Sequence, residues 1–284
     1  MNTVLLTTSI FRDGLPDVLS RMVASIGEQK GSGALGDITL LLLIQNCTDE
    51  QFATVPALPD FVVPILHGSI ISLSAARNIL LRAAFSRGLV EPDALIAFPD
   101  DDCWYPSGLL AGIQARFSGA EPLDFFFCSY STKPLAFAAV AGQTRPAKVR
   151  DVVRNASSNT IFLRGSVAIA IGSFDEDLGV GTRNNGGEDI EYALRAFLVS
   201  RRTAFLDAEI VGHRDKDRSL RAKYYRGSLL ALRRHALADF GIAFEYVRKI
   251  AVGGALSLKG EMPASRLLSA NIAGHKPLPP SPFR

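Results

Sequence analysis

Three adjacent carboxylates, Asp100-Asp101-Asp102, stand directly behind the apolar run Ala94-Leu95-Ile96-Ala97-Phe98. Side chains two apart on extended backbone face the same way, so Asp100 and Asp102 converge on one point. Their mutual repulsion calls for a compensating charge, and an oxygen-rich set suits a hard divalent cation, Mg²⁺ or Mn²⁺. A solvated acidic turn is the alternative. A second acidic pair, Glu188-Asp189, follows Gly186-Gly187 and opens a helical stripe. Carboxylates there complement the helix macrodipole as caps. Equally, the glycine-rich loop 179–187 can close over a ligand and let a carboxylate take the proton of an attacking hydroxyl. His213, just past a strand candidate, is either a nitrogen ligand beside the carboxylates or a structural imidazole. Arg77, in Ser74-Ala75-Ala76-Arg77-Asn78, carries a planar fork that matches diphosphate oxygens. His67, His235 and His275 receive no role.

These residues need elements to hold them. Val4-Leu5-Leu6 reads as a buried strand, and Leu15, Val18, Leu19, Met22, Val23 and Ile26 are spaced as a helix. The unbroken run Ile38 to Ile44 suits a strand covered on both faces. A second helix, with Leu73, Ala76, Ile79, Leu80 and Ala83 on its stripe, has Ser72 or Ser74 as its cap. Ala94 to Phe98 is the third strand of an open, mostly parallel α/β sheet with right-handed crossovers. In such sheets ligands sit outside the carboxyl ends of the strands, which is where the acidic triplet falls. Further on, Asp124 to Ser131 and Thr203 to Val211 are strand candidates, and Asn159 to Leu163 is a short apolar segment. Thr132 to Arg150 is irregular, interrupted at Pro134, Gly142 and Pro146. Ile190, Ala193, Leu194, Phe197 and Leu198 mark an amphipathic helix, and Ser219 to Phe240 is a basic helical stretch. The tail from Lys276 to Pro282 is Pro-rich and is expected to be disordered.

Composition narrows the class. With 284 residues, 48% hydrophobic and 21% charged, the chain is globular rather than disordered. No run of 18 apolar residues supports a spanning helix, and the first residues lack the basic region of a signal peptide. Cys47, Cys103 and Cys128 are scattered, which excludes CxxC zinc sites and a disulfide framework and fits a reducing cytoplasm. The net charge of +3 hides an asymmetry: residues 213–284 hold 14 Lys+Arg against 5 Asp+Glu, a net of +9, and the rest nets −6. A basic C-terminal segment meets something anionic or is a solvated helix face. Tyr224, Tyr225, Leu229, Leu230 and Leu232 among its cations suit an anionic membrane surface, or a helix packed on the body with its cations outward. No nucleic-acid partner is expected.

Taken in order, the motifs resemble those of the family 2 glycosyltransferases, an inverting group with the GT-A fold. The pieces are Ser74-Ala75-Ala76-Arg77-Asn78, Phe98-Pro99-Asp100-Asp101-Asp102, Gly172-Ser173-Phe174-Asp175-Glu176-Asp177-Leu178-Gly179, Gly187-Glu188-Asp189-Ile190-Glu191 and His213. The resemblance spans about residues 4 to 213. It implies a stand-alone bacterial enzyme moving a sugar from a nucleotide-diphosphate donor, most simply a UDP-sugar, to a glycan or lipid-linked glycan in cell-surface polysaccharide synthesis. Asp102 and His213 would hold Mn²⁺ or Mg²⁺, and Asp100, Asp101 and Arg77 would lie on the donor. Asp189 would be the base, with Glu188 orienting the acceptor. Thr8 and Arg12 resemble the nucleotide loop of the first strand. Gln45 stands where the family usually has an acid, which weakens the case for uracil as the base read. The implied organisation is a GT-A catalytic domain over 1–213, a basic helical extension over 214–275 and the tail 276–284. A sugar nucleotidyltransferase is the competing enzyme reading, but Thr7-Thr8-Ser9-Ile10-Phe11-Arg12 is not the glycine-rich phosphate loop it needs. A non-catalytic sugar-binding scaffold is the third reading.

Overall fold

The computed structural model describes residues 1–31, 36–215, 220–265 and 267. Its strands are β1 (Thr3–Ile10), β2 (Ile38–Gln45), β3 (Val62–His67), β4 (Leu95–Ala97), β5 (Phe125–Ser131), β6 (Thr144–Pro146), β7 (Ile161–Arg164) and β8 (Thr203–Gly212). They form one sheet in the order β3-β2-β1-β4-β7-β5-β8-β6. β1 pairs in parallel with β2 and β4, β2 with β3, and β5 with β8. β7 runs antiparallel between β4 and β5, and β6 is an antiparallel edge on β8. Two antiparallel steps cancel, so β5 and β8 point the same way as β1 and β4. Their carboxyl ends therefore share one edge of the sheet. The mixed α/β, mostly parallel sheet expected from the sequence is present.

The helices are α1 (Asp17–Gly31), α2 (Asp49–Phe52), α3 (Leu73–Ser86), α4 (Leu109–Ser118), α5 (Phe137–Val140), α6 (Val149–Asn155), α7 (Gly165–Ile171), α8 (Glu188–Val199), α9 (Leu220–His235) and α10 (Phe240–Leu258). They cover both faces of the sheet. Leu5 of β1 and Leu40 and Leu42 of β2 pack with α1 and α4 on one side. Val4, Leu6, Leu41 and Leu43 pack with α3, α7 and α8 on the other. Burial on both faces is the reason these strands read as continuous apolar runs. Leu232 of α9 and Ile242 of α10 belong to the second of these cores, so the C-terminal helices are seated on the body formed by the sheet.

Several elements differ from the sequence reading, α2, α4 and α7 among them, which it did not anticipate. β3 was not anticipated, because Pro64 interrupts it; it is tolerated because β3 is an edge strand paired only with β2. The irregular stretch 132–150 contains α5, β6 and the start of α6, with Pro146 ending another edge strand. The single basic stretch expected over 219–240 is α9, followed by a separate helix, α10. Asp239 caps α10, its Oδ1 accepting from the Ile242 N–H at 3.1 Å. Between the two serines proposed as the α3 cap, Ser72 is the one, accepting from the Ala75 N–H. The segment 276–284 and His275 lie outside the described residues. Among the described residues no helix is long and apolar enough to cross a membrane.

Candidate active site

The chain runs β1, β2, β3 to one side and then returns to place β4 on the other side of β1. A crevice opens at the carboxyl ends where the order reverses, and such a switch point is where open α/β sheets bind ligands. Asp100, Asp101 and Asp102 stand there. Thr7 Oγ1 donates to the Pro99 carbonyl at 2.9 Å and Ser9 Oγ to Asp101 Oδ2 at 2.6 Å, stitching β1 to the acidic turn. Behind the turn Phe98 meets Phe174 and Tyr192 edge-on, with ring centroids 5.1 and 5.4 Å away. That apolar footing fixes the end of β4.

His213 reaches the same point from β8. Gly212 bridges Trp104 through paired backbone hydrogen bonds, and a Cβ on Gly212 would run into the indole ring. Only glycine allows β8 to lie that close to the residue after the triplet and its neighbour. His213 Nε2 then lies 2.9 Å from Asp102 Oδ1 and 3.7 Å from Asp100 Oδ2. The ligating atoms of Asp100, Asp102 and His213 all fall within 4.8 Å of one another. Nδ1 lies 2.9 Å from the Arg214 carbonyl, which holds the proton on Nδ1 and leaves a lone pair on Nε2. Nε2 is buried and makes no hydrogen bond of good geometry, although a carboxylate is close. A divalent cation fits this orphaned nitrogen and its two flanking carboxylates, and a backbone carbonyl accepting from Nδ1 is the usual support for such a ligand. Burial by itself would raise Asp102, but His213 and Arg214 beside it bring the carboxyl below its ordinary value. Burial would lower His213, and Asp102 with Asp100 reverses this and raises it. Arg214 Nη1 donates to Asp102 Oδ2 at 2.7 Å, a contact no motif announced.

Asp189, in the first turn of α8, is tied to this cluster. Arg77 is 3% exposed and donates through Nη1 to Asp189 Oδ1 at 2.7 Å and through Nη2 to Asp100 Oδ1 at 3.4 Å. Ser158 makes the same bridge from the other side, its N–H to Asp189 Oδ2 and its Oγ to Asp100 Oδ1, both at 3.0 Å. Arg77, read in the sequence as a phosphate contact, spends its fork on two carboxylates here. Ser158 was missed; it precedes β7 in a turn without any motif, and only the fold brings it in. Of the other candidates, Thr8 and Gln45 pair, Gln45 Nε2 donating to Thr8 Oγ1 at 2.7 Å. Gln45 Oε1 accepts the Ile71 N–H at 2.9 Å. Gln45 thus clips the end of β1 to the turn before α3. Arg12 is exposed at the Arg12-Asp13-Gly14 turn following β1.

Two sequence motifs prove to be halves of one joint. Ser74 Oγ donates to the Leu178 carbonyl at 2.6 Å. Asn78 bonds Phe174 in both directions, Nδ2 to its carbonyl and Oδ1 from its N–H. The turn 172–179 is therefore locked to α3, and it leads into the glycine-rich loop before Glu188. That loop is gripped again by α9: Cβ atoms built on Gly186 and Gly187 would strike Tyr224 and the Gly227 backbone, and one on Gly227 the Gly186 carbonyl. Gly186 and Gly187 also have φ of 93° and 87°, where other residues are strained. Gly227→Ala is expected to cost about 1–3 kcal/mol through overpacking. Thermal and denaturant unfolding check this, and an unchanged stability refutes it. His235, given no role from sequence, accompanies Arg195 on buried Glu191, its Nε2 2.9 Å from Glu191 Oε1.

Glu188 is 5% exposed, beside Gly179. Burial, with Asp189 next to it, pushes its carboxyl up to about 7. The folded state therefore holds this proton more tightly than the unfolded chain. Stability is full below the ordinary glutamate range and falls as pH rises from there to about 7. Glu188→Gln is expected to be more stable than wild type at pH 8, by up to about 3 kcal/mol, and equal to it near pH 4. Denaturant titrations at the two pH values test the sign.

The architecture is that of the GT-A fold. No protein-family model matches the sequence, and no curated protein does. Solved structures do match in fold. The chain superposes on Staphylococcus aureus TarS 1-349 in complex with UDP-GlcNAc with a TM-score of 0.62 at 13% identity, over 95% of this chain and 79% of that one. A second structure of TarS 1-349 gives 0.54 at 13% identity, over 82% and 65%. A longer TarS chain gives 0.55 at 13% identity, over 97% and 44%. The chain thus spans 65% of TarS 1-349 in that second comparison and less than half of the longer TarS chain.

Proposed function

We propose that this chain is a metal-dependent inverting glycosyltransferase, moving a sugar from a nucleoside-diphosphate donor to a hydroxyl of a glycan or lipid-linked glycan. The observation that carries the reading is the meeting of Asp100, Asp102 and the orphaned His213 Nε2 at the switch point, joined by Arg77 and Ser158 to Asp189. The TarS structures with UDP-GlcNAc and with UDP support a nucleotide-sugar donor, of which a UDP-sugar is the simplest. Within this reading 1–213 is the catalytic domain and 214–275 its extension, working in cell-surface polysaccharide assembly on the cytoplasmic side.

In the proposed chemistry Asp189 takes the proton of the acceptor hydroxyl. The freed oxygen forms a bond to the anomeric carbon while the bond from that carbon to the donor phosphate breaks on the opposite face, which inverts the centre. Arg77 and Ser158 keep Asp189 aimed, and each of its oxygens retains a second lone-pair direction for the acceptor. Glu188, protonated near neutrality, can donate to an acceptor oxygen. Asp102 and His213 would hold Mn²⁺ or Mg²⁺, which when bound neutralises charge on the departing diphosphate. Thr8, Arg12, Gln45 and Asp101 line the nucleotide side. The test is release of nucleoside diphosphate across a panel of nucleotide sugars, with and without Mn²⁺ or Mg²⁺. Cation-dependent turnover of one donor is expected; absence of both turnover and binding for every donor overturns the proposal.

A further inference from the structure

Asp102 divides its two carboxylate oxygens between unlike partners. Oδ1 lies 2.9 Å from His213 Nε2, and Oδ2 accepts from Arg214 Nη1 at 2.7 Å. The Asp102 side chain is 16% exposed, whereas that of Arg214 is 75% exposed. The backbone of Arg214 is held on both sides. Its carbonyl lies 2.9 Å from His213 Nδ1. One residue on, the Asp215 carboxylate accepts from the Thr132 N–H at 3.1 Å and from Thr132 Oγ1 at 3.3 Å. Arg214 therefore stands on an anchored base with its side chain open to solvent, and so exposed an ion pair holds that side chain only weakly. The contact with Asp102 uses one of the five N–H donors of a guanidinium.

Asp102 does not need Arg214 to stay in place. Arg21, stacked over the Trp104 ring at 3.9 Å, donates from Nη2 to the Asp102 carbonyl at 2.9 Å, and the Cys103 N–H closes the acidic turn onto the Asp100 carbonyl. Charge gives Arg214 a different use. Arg77 spends its fork on Asp100 and Asp189, so it does not serve Asp102. A divalent cation held by Asp100, Asp102 and His213 would share the Asp102 carboxylate with the Arg214 guanidinium, and two positive groups on one carboxylate repel. An anion that both can contact relieves this conflict. The oxygens of a diphosphate accept from a planar guanidinium as well as a carboxylate does.

We propose that Arg214 couples cation binding to donor binding: it is the counter-ion of Asp102 until a cation takes that carboxylate, and it then turns its fork to the donor diphosphate. The inference deepens the transferase reading and rests on it for the identity of the anion. Cation and diphosphate then each raise the affinity of the other, by the same factor. The experiment is calorimetric titration of the full chain with Mn²⁺ alone, and with UDP at saturating Mn²⁺. Arg214→Gln is expected to bind Mn²⁺ alone about two- to fivefold more tightly than wild type, because a repelling charge is gone. It should bind UDP with Mn²⁺ about tenfold more weakly, for loss of a charged hydrogen-bond donor. Arg214→Lys keeps the charge and loses the fork, so its affinity for Mn²⁺ alone should match wild type while UDP still binds less well. Weaker binding of Mn²⁺ alone in Arg214→Gln would make the guanidinium a mere support of Asp102 and overturn the proposal. Wild-type affinity for UDP with Mn²⁺ in Arg214→Gln overturns it too and leaves the transferase reading standing. A wild-type chain that binds neither Mn²⁺ nor UDP overturns both.

Discussion

Asp189→Asn is expected to reduce turnover about 10²–10⁴-fold, the usual cost of losing a general base, which is the role proposed for Asp189, while nucleotide binding stays measurable. The substitution keeps the shape and removes the charge. Asp189 accepts from Arg77 on one oxygen and from the Ser158 N–H on the other, so an amide must turn its NH₂ toward one of these donors. Arg77 is then left buried with Asp100 as its remaining carboxylate. Some stability is lost in consequence, and a thermal midpoint measured beside kcat separates that loss from the chemical one. The acidic turn and His213 keep their own supports from β1 and β8, so cation-dependent donor binding should persist. A folded Asp189→Asn protein with wild-type turnover removes this carboxylate from the reaction.

The second large effect is expected at the proposed cation site. Asp102→Ala and His213→Ala should each weaken Mn²⁺-dependent nucleotide binding by more than the roughly 10–100-fold that loss of a supporting group costs. Calorimetric titration of the nucleotide with and without Mn²⁺ reads this directly. Wild-type affinity should also depend on pH with a definite sign. His213 binds a cation only when neutral, and Asp102 beside it raises its proton affinity. Cation affinity should therefore rise with pH through a midpoint above the ordinary histidine value, and that step should vanish in His213→Ala. In the cation-free protein the linkage runs the other way. The ion pair stabilises the fold below the unfolded histidine value and is lost as pH rises through the folded one. Equal affinity with and without Mn²⁺ in the wild type would end the metal reading.

Local sequence carries the site because each motif sits where a strand stops or a helix starts. Asp100–Asp102 follow an apolar run, Glu188-Asp189 follow two glycines, and His213 follows a ten-residue strand. Such boundaries are legible without a fold, since apolar runs, caps and turn glycines are written within a few residues. β3 was harder because its proline contradicts strand chemistry except at an edge, and edges are a property of the whole sheet. Ser158 and Arg214 had no local signal at all. Each acts on a carboxylate 58 or more positions away along the chain.

By itself, the sequence determined the alternation of strands and helices, the carboxylates and imidazole that the fold gathers at one edge of the sheet, and the basic character of the C-terminal segment. Tertiary structure decided what those groups face. Strand direction sums over the sheet, so the antiparallel β7 was needed to bring the end of β8 to the edge where β4 ends. Arg77 became the bridge between Asp100 and Asp189 because the fold buries it on α3 beside Phe174, between the acidic turn and the start of α8. The apolar side of α9, with Tyr225, Leu229, Leu230 and Leu232, is buried by the fold in the same way. Periodicity reports that a helix has an apolar side, and only its neighbours determine whether that side is covered.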